Sequence, residues 1–393
     1  MAKRAPSKAR RRRVPPRSRR EDLNRPLDPQ LEVRSTFPYH KLVLIVDGRD
    51  VSSLTVVDFQ QQIGSGVVRM GGVAGVGTHR DHRLRGYSRR VMESSLAWMR
   101  REGFDTAMLY GIPSFYPKFG YAQAFPGVAC SLAVRDAERA APHGHRFVAF
   151  RPKKHLRAVL RMYHANIAGH TGPTRRDPKH WRPFRKGVEH GTKAVCKVAL
   201  DGRGRPAGYV VYDAGHLTAT IIEVGFATPG ALPDILRAAA RRAVRQRLER
   251  IQLLLPEDDA FVEFCKPLGL RKEVTYRPGG GGQVRLIRIP TALEKLSREL
   301  GPRTTGTGRL SIRTNLDDVG LSWSSGRLSV GPPRRDGPRA RLPQWALAQM
   351  LYGYRDARAL AADGTLTASR QAVAALTALL PLRPHYQHVV DHF

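Results

Sequence analysis

A basic loop lies between a predicted strand and a predicted helix at residues 71–92, in the stretch GGVAGVGTHRDHRLRGYSRRVM. Arg83 and Arg85 flank the loop, and Gly86 comes directly before the helix. A helix N-terminus presents free backbone N–H groups and the positive end of the helix dipole to an anion. Guanidinium groups suit phosphate, and a glycine lets the backbone approach a ligand closely. The residue types and their spacing therefore predict a phosphate-binding loop.

The spacing of this loop, R-x-x-G-x-S from Arg83 to Ser88, differs from two common nucleotide motifs. It is not G-x-G-x-x-G, so a Rossmann dinucleotide site is not indicated. It also lacks the Gly-Lys-Ser/Thr of a nucleoside triphosphate loop. We therefore predict a phosphate-containing ligand that is bound by neither of these two motifs.

The carboxyl end of the chain is a second candidate for chemistry. The last residues are RPHYQHVVDHF, so an apolar residue, Phe393, occupies a position that is polar and mobile in most chains. Two interpretations stay open on the residues alone. Phe393 is a hydrophobic plug, or the terminal carboxylate itself is used.

Length and charge limit the class of protein. A chain of 393 residues predicts two to three domains, and 41% hydrophobic with 25% charged residues is a globular composition. The net charge is +34, and ten of the positive charges lie in residues 1–20, which leaves about +24 on the rest. The basic tail has no apolar segment of a secretory signal, and the chain has no apolar run of 18 residues for a membrane span.

The tail at residues 1–20 is predicted to be a disordered arm that contacts phosphates of nucleic acid or of an anionic surface. The alternative is a solvated tail that aids solubility. Cys130, Cys196 and Cys265 are far apart and fit neither a zinc motif nor a disulfide framework, which predicts a reducing, cytoplasmic setting. His170 and His180 lack metal-ligand spacing, so no metal site is predicted.

The pattern of apolar residues predicts strands and helices mixed along the whole chain. Three β-rich runs between residues 41 and 76, joined by tight turns, predict an antiparallel meander. Met92, Leu96 and Met99 then share one face of a helix. The fold class is α/β, or α+β.

The basic loop resembles motif A of the GNAT acetyltransferases, Q/R-x-x-G-x-G/A, with Ser88 as a mild departure at the last position. The resemblance implies that acetyl-CoA is the cosubstrate and that the loop binds its pyrophosphate. It also implies that the preceding strand offers backbone amides to the pantetheine and the thioester. The residues implied in cofactor binding are Val76 and Thr78 on the strand, and Arg83, Arg85, Gly86 and Tyr87 on the loop.

The stretch FYPKFGYA at residues 115–122 is similar to the aromatic Tyr-x-x-x-Gly-Phe/Tyr element of the same family. FCKPLGL at residues 264–270 aligns with FYPKFGY without gaps, but a cysteine and a leucine replace the two tyrosines. The would-be phosphate loop of the second block, VGFATPGALPDIL, contains no arginine. We therefore expect an internal repeat whose second copy has lost the phosphate and proton chemistry. Coincidence between two strand–helix–strand units is the alternative.

The whole arrangement resembles the enhanced-intracellular-survival (Eis) acetyltransferases, which contain two tandem GNAT-like domains and a C-terminal sterol-carrier-protein-like α+β domain. LAQMLYGYRDARALAADGTL is similar to the closing helix and turn of that third domain. The resemblance implies four segments: a basic tail and lead-in at 1–38, a catalytic GNAT domain at 39–146, a degenerate GNAT-like domain at 147–290, and the sterol-carrier-like domain at 291–393.

The same resemblance implies N-acetylation of a primary amine by direct transfer in a ternary complex. The carboxylate of Phe393 would be the base and Tyr121 the acid, with Tyr116 as the alternative acid. Without the resemblance, Tyr121 is equally well a packed aromatic residue beside Phe119 and Phe125. Relatives often form hexamers, so a homo-oligomer is also implied.

Two features depart from the family. Its members normally carry a strand and two helices ahead of the meander, whereas a short lead-in stands there in this chain. The strongly positive body would repel polycationic aminoglycosides, so the identity of the acceptor amine stays open. A second hypothesis is a non-catalytic binding protein that holds nucleic acid or an anionic surface through residues 1–20.

Overall fold

The computed structural model describes residues 30–188, 192–215, 219–277 and 281–393. The basic tail predicted at residues 1–20 lies outside these ranges. The strands of the described residues are β1 (Gln30–Thr36), β2 (Tyr39–Val46), β3 (Arg49–Ile63), β4 (Gly66–Thr78), β5 (Thr106–Tyr110), β6 (Ala122–Gln123), β7 (Gly127–Ala133), β8 (Arg146–Ala149), β9 (Thr171–Arg175), β10 (Ala194–Leu200), β11 (Pro206–Asp213), β12 (Thr220–Phe226), β13 (Arg250–Leu253), β14 (Arg271–Thr275), β15 (Gly282–Leu286), β16 (Thr307–Arg313), β17 (Asp318–Ser324), β18 (Arg327–Gly331), β19 (Arg339–Arg341) and β20 (Thr367–Ala368). The helices are α1 (Tyr87–Arg101), α2 (Val134–Ala137), α3 (Pro152–Asn166), α4 (Ala231–Arg245), α5 (Ala260–Cys265), α6 (Ile289–Lys295), α7 (Ser297–Leu300), α8 (Gln344–Leu351), α9 (Ala357–Ala362) and α10 (Arg370–Leu379).

The first sheet has the strand order β1-β2-β3-β4-β5-β15-β6, with β9 added to β3. Strands β2, β3 and β4 are antiparallel neighbours, so the predicted meander is confirmed. Helix α1 then crosses to β5, which runs parallel to β4. Met92 and Met99 of α1 are fully buried, as the helical periodicity predicts.

The second sheet has the order β14-β7-β13-β12-β11-β10-β8 and repeats the central topology of the first. Strands β11 and β12 are antiparallel, helix α4 follows, and β13 lies parallel to β12. A 3-10 helix at Tyr116–Phe119 ends at Gly120, with a φ of +75°, and the 3-10 helix at Lys266–Leu268 ends at Gly269, with a φ of +89°. The aligned sequence stretches therefore have the same local structure, which supports the predicted repeat.

Each of these two sheets contains a strand from the other repeat. Strand β7 follows the first copy of the aromatic element but pairs with β13 and β14 in the second sheet. Strand β15 follows the second copy but lies between β5 and β6 in the first sheet. The sheets therefore do not divide at residue 146. The exchange covers strand edges that would otherwise expose unpaired backbone groups.

The lead-in also contains regular structure. Residues Gln30–Thr36, predicted as part of the segment before the first domain, form β1 and pair antiparallel with β2. Only residues 37–38 separate these two strands. The two helices that the family carries ahead of the meander therefore have no counterpart between β1 and β2.

The third sheet has the order β18-β17-β16-β19-β20, and helices α8, α9 and α10 complete an α+β unit. Its core is continuous with one face of the first sheet, since Val68 and Met70 belong to the same apolar cluster as Leu310 and Leu321. The buried Gln344 also links the two units, because its side chain donates to the Gly120 carbonyl at 2.6 Å.

No helix in the described ranges is long and apolar enough to cross a bilayer. Within the same ranges, no three His, Cys, Asp or Glu side chains are grouped so as to hold a metal ion. Cys130, Cys196 and Cys265 are buried free thiols.

Candidate active site

An opening between β4 and β5 lies at the centre of the first sheet. The two strands pair only from Met70 to Val73 on β4, against Thr106 to Leu109 on β5. On the other edge of β4 the register with β3 shifts, since Thr55 faces Ala74 but Ser53 faces Gly77. This shift is a β-bulge with one extra residue on β4. Bulges bend a strand and redirect its backbone groups, and they are frequent beside active sites.

The bulge contains Val76, one of the two β4 residues predicted to contact the cofactor, and Thr78 follows it. Gly75, with a φ of +60°, adopts the left-handed conformation that a glycine accepts without strain. Val76 and Thr78 follow it on the part of β4 that has no partner on β5. An extended ligand could therefore lie along this edge of β4 and hydrogen-bond to backbone groups that are not paired with β5.

A chain of hydroxyl groups joins the end of β4 to the first turn of α1. Ser52 and Thr78 share a hydrogen bond of 2.9 Å, and Thr78 and Ser88 share one of 2.7 Å. Ser88 is the residue that departs from the motif of the acetyltransferases. In this chain its hydroxyl holds the bulged strand against the helix, a contact that the motif alone does not reveal.

The loop before α1 combines two exposed arginines with an unusual backbone conformation. Arg83 and Arg85 are exposed, and Leu84 and Gly86 are left-handed, with φ of +64° and +82°. A left-handed leucine costs about 1 kcal/mol, so the loop around it must enforce that conformation. Helix α1 has no side-chain cap and no acidic residue in its first turn, so its N–H groups and dipole are available to a phosphate.

Tyr121 lies in the apolar cluster on the face of the sheet that α1 covers, together with Val73 and Leu109. The residue is 2% exposed, and its hydroxyl has no hydrogen-bond partner within the described residues. Burial raises the pKa of Tyr121, an effect that the Arg285 guanidinium reduces. Tyr121 therefore stays protonated, with an unsatisfied donor.

Tyr116, the alternative acid, is half-buried, and burial raises its pKa as well. Its ring lies directly against Gly111, just beyond the end of β5, where a side chain would leave no room for it. The rings of Tyr116 and Tyr121 are 6.4 Å apart. Both phenols thus lie near the β5 side of the opening.

Phe393 reaches the first sheet on its other face. A Cβ atom built on Gly72 of β4 would lie 2.7–2.8 Å from three ring carbons of Phe393. The ring also packs against Phe59 and Tyr110, with centroids 5.5 and 5.8 Å apart. The terminal residue is therefore seated where β4 and β5 begin to separate.

The two groups predicted to act as base and acid belong to opposite faces of the sheet. A side chain on Gly71 would point toward Met99 of α1, whereas a side chain on its neighbour Gly72 would point toward Phe393. Tyr121 belongs to the α1 side. The structure brings each group to the region of the opening, but their cooperation stays a prediction, because only a substrate that passes between the strands could meet both.

A family model described as an acetyltransferase (GNAT) domain matches residues 13–124. Of these, residues 30–124 are described and include β1 to β6 and the arginine loop. No curated protein matches the chain.

Several solved structures share the fold over nearly the whole chain. A probable N-acyltransferase from Enterococcus faecalis V583 has 16% identity and a TM-score of 0.75, with 91% of this chain and 89% of that chain covered. A GCN5-related N-acetyltransferase from Kribbella flavida has 18% identity and a TM-score of 0.70, with 90% and 87% covered.

Eis1 from Mycobacterium abscessus has 18% identity and a TM-score of 0.61, with 91% of this chain and 92% of that chain covered. The mixed α/β fold of the three sheets is therefore shared with these structures, Eis1 among them. The arginine loop and the opened β4–β5 edge lie within the residues that match the GNAT acetyltransferase domain model.

Proposed function

We propose that the chain transfers the acetyl group of acetyl-CoA directly to a primary amine, with Tyr121 as general acid and the Phe393 carboxylate as base. The observation that carries the proposal is the opening between β4 and β5. It has an arginine loop at one end and the terminus of the chain on one face. The loop directly follows the end of β4, and the Phe393 ring packs on Gly72 of the same strand, although the two are far apart in sequence.

Acetyl-CoA binding is assigned to the bulged strand and the loop. The backbone amides of Val76 and Thr78 would bind the pantetheine and the thioester carbonyl. A donor aimed at that carbonyl would stabilise the negative charge that develops on its oxygen. The pyrophosphate would bind at the N-terminus of α1, in the loop formed by Arg83, Arg85, Gly86 and Tyr87.

The base can act only at one stage of the reaction. An α-carboxylate has a pKa of about 3.5 and a free amine about 10, so complete transfer between them costs roughly 9 kcal/mol. The Phe393 carboxylate therefore cannot deprotonate a solvated ammonium group. It can accept the proton once the amine nitrogen has attacked the thioester and has become acidic.

The acid must protonate the thiolate that leaves. From an ordinary tyrosine pKa of about 10 to a thiol near 8.5, this step is uphill by about 2 kcal/mol. Burial raises the pKa of Tyr121 and so increases the free-energy cost of this proton transfer. However, no described residue hydrogen-bonds to the buried hydroxyl, and a sulfur atom at the opening would supply a partner. Tyr116 is the alternative donor.

Binding of acetyl-CoA to the loop is tested by titration calorimetry on a chain that lacks residues 1–20, since that tail could bind phosphates nonspecifically. We expect saturable one-to-one binding. R85E should weaken it by about 10- to 100-fold, the effect of losing a charged hydrogen bond. R101E, at the opposite end of α1, makes the same charge change and should bind normally. Equal affinity in the two variants, or absence of binding, would contradict the assignment.

The identity of the acid is tested by comparing Y121F with Y116F. No hydrogen bond joins the buried Tyr121 hydroxyl to the described part of the chain, so its removal relieves a desolvation cost of about 1–3 kcal/mol, and Y121F should unfold at the same or a higher temperature. If Tyr121 is the acid, the same variant should lower kcat by about 100-fold or more. A stabilised Y121F with full kcat, beside an inactive Y116F, would assign the role to Tyr116.

The role of the terminal carboxylate is tested by adding two glycines after Phe393. The extension moves the carboxylate by about 7 Å, so kcat should fall by about 100-fold while acetyl-CoA binding is kept. Two glycines inserted after Gly364, in an exposed turn, are the control and should leave kcat unchanged. Normal turnover in the extended chain would rule out the carboxylate as the base.

The packing of the Phe393 ring on Gly72 is tested with a double-mutant cycle. G72A places a Cβ within 2.7–2.8 Å of the Phe393 ring and should displace the terminus, which lowers kcat. In an F393A background there is room for the new methyl group, so the same substitution should cost little. G331A, in an open strand position, is the control. An equal cost of G72A in both backgrounds would show that the ring does not occupy this seat during turnover.

A further inference from the structure

A buried ion network holds the last residues of the chain to the second sheet. Arg176 directly follows β9, and its side chain is 0% exposed. Its guanidinium donates to Glu223 of β12 through two hydrogen bonds, at 2.8 and 2.6 Å. The other edge of the same guanidinium donates to Asp391, through Nε at 3.0 Å and Nη2 at 2.9 Å. One arginine thus joins two carboxylates that are 168 residues apart in sequence.

Aromatic side chains enclose this network and satisfy its remaining polar atoms. The Arg176 guanidinium lies 3.6 Å from the centroid of the Tyr163 ring and 4.3 Å from that of Trp181. Trp181 Nε1 donates to Asp391 at 3.1 Å, and the Tyr209 hydroxyl donates to Glu223 at 2.7 Å. Buried ions are tolerated only where hydrogen bonds replace the lost water, and such a network admits few alternative geometries.

The network lies where the second repeat would have had its own opening. Strands β12 and β13 pair only at Thr220–Ile221 with Gln252–Leu253, and Glu223 comes just beyond. The Tyr386 hydroxyl donates at 2.6 Å to the carbonyl of Leu254, the residue after β13. The C-terminal segment therefore crosses the second sheet at the place that corresponds to the opening of the first.

From this anchor the chain continues directly to the candidate base. Two residues span at most about 7 Å, so a fixed Asp391 restricts where the terminal carboxylate can lie. The His392 ring packs on Tyr110 with centroids 4.1 Å apart, and Lys186 donates to the His392 carbonyl at 3.0 Å. The terminal segment is thus fixed by the second sheet at Asp391 and by the first sheet at Phe393.

We propose that Asp391 is a positioning residue for the terminal carboxylate and that the degenerate repeat serves as its anchor, through Arg176 and Glu223. The inference rests on the proposed function, since it assigns a purpose to the anchor only if the carboxylate of Phe393 takes part in acetyl transfer. The second repeat, without phosphate-binding arginines, thereby contributes to the site of the first.

The charges of the network indicate which member can be changed with least damage. Burial opposes ionisation of Glu223, but Arg176 outweighs it and holds the pKa of that carboxyl below its usual range. Burial raises the pKa of Asp391, and Arg176 offsets this only in part. Loss of Arg176 would leave two buried carboxylates unpaired. D391N, in contrast, leaves Arg176 and Glu223 as a neutral pair.

The test uses the full chain with D391N. We expect unchanged affinity for acetyl-CoA, faster amide hydrogen exchange confined to residues 386–393, and a kcat lowered by about tenfold or more because the carboxylate is no longer aligned. D234N is the matched control. It alters a buried carboxylate of the second repeat, which holds the anchor, but Asp234 accepts its hydrogen bonds from His143 and His145 and, among the described residues, none from the terminal segment.

A second variant, W181F, provides an independent test in case D391N misfolds. W181F keeps an aromatic ring beside Arg176 but removes the hydrogen bond to Asp391, so we expect a smaller loss of kcat with the same local increase in exchange. Wild-type kcat and exchange in D391N and W181F would overturn the inference. An equal fall of kcat in D234N would also overturn it.

The terminal extension separates this inference from the proposed function. If two added glycines abolish turnover while D391N and W181F turn over normally, the carboxylate acts but the anchor does not position it. If the extension leaves turnover intact, the role of the carboxylate itself fails, and the positioning inference fails with it.

Discussion

A chain terminus is the least constrained part of most proteins, so its use in a site requires something that holds it. Here a single buried guanidinium supplies that constraint. Arg176 binds Glu223 from the second sheet and Asp391 from the terminal segment, out of contact with water. The desolvation of three charges is costly, and only the complete set of partners makes it tolerable. Loosening of the terminal segment would leave the Arg176–Glu223 pair partly exposed, which disfavours such movement.

The exchange of strands between the two repeats allows the anchor on the second sheet to fix the terminus relative to the first sheet. Because β15 completes the first sheet and β7 completes the second, the two sheets are tied to each other by backbone hydrogen bonds. An anchor on one sheet therefore fixes a group relative to the other. The third sheet adds to the assembly through the core that it shares with Val68 and Met70. The candidate site is thus a property of the whole chain, although its loop and strand come from the first repeat alone.

Local features could be predicted from the sequence, and long-range ones could not. The meander and the buried face of α1 follow from the periodicity of apolar residues and from turn residues within about 60 residues of chain. The pairing of β15 with β5 joins segments that no periodicity connects. Arg176 lies in TRRDPKHW, a stretch rich in charge and proline that looks like a surface loop. Its burial depends on two carboxylates that only the folded chain brings to it.

The net charge of the protein affects the step of the proposed reaction with the highest free-energy cost, which is the loss of a proton from the acceptor amine. A solvated ammonium group cannot give its proton to the Phe393 carboxylate, so the acceptor must reach the thioester as a neutral amine. Nearby positive charge lowers the pKa of an amine, because it disfavours the protonated form. A body with about +24 beyond the tail, and Lys186 hydrogen-bonded to the residue before Phe393, provide such surroundings. The same net charge repels polycationic acceptors.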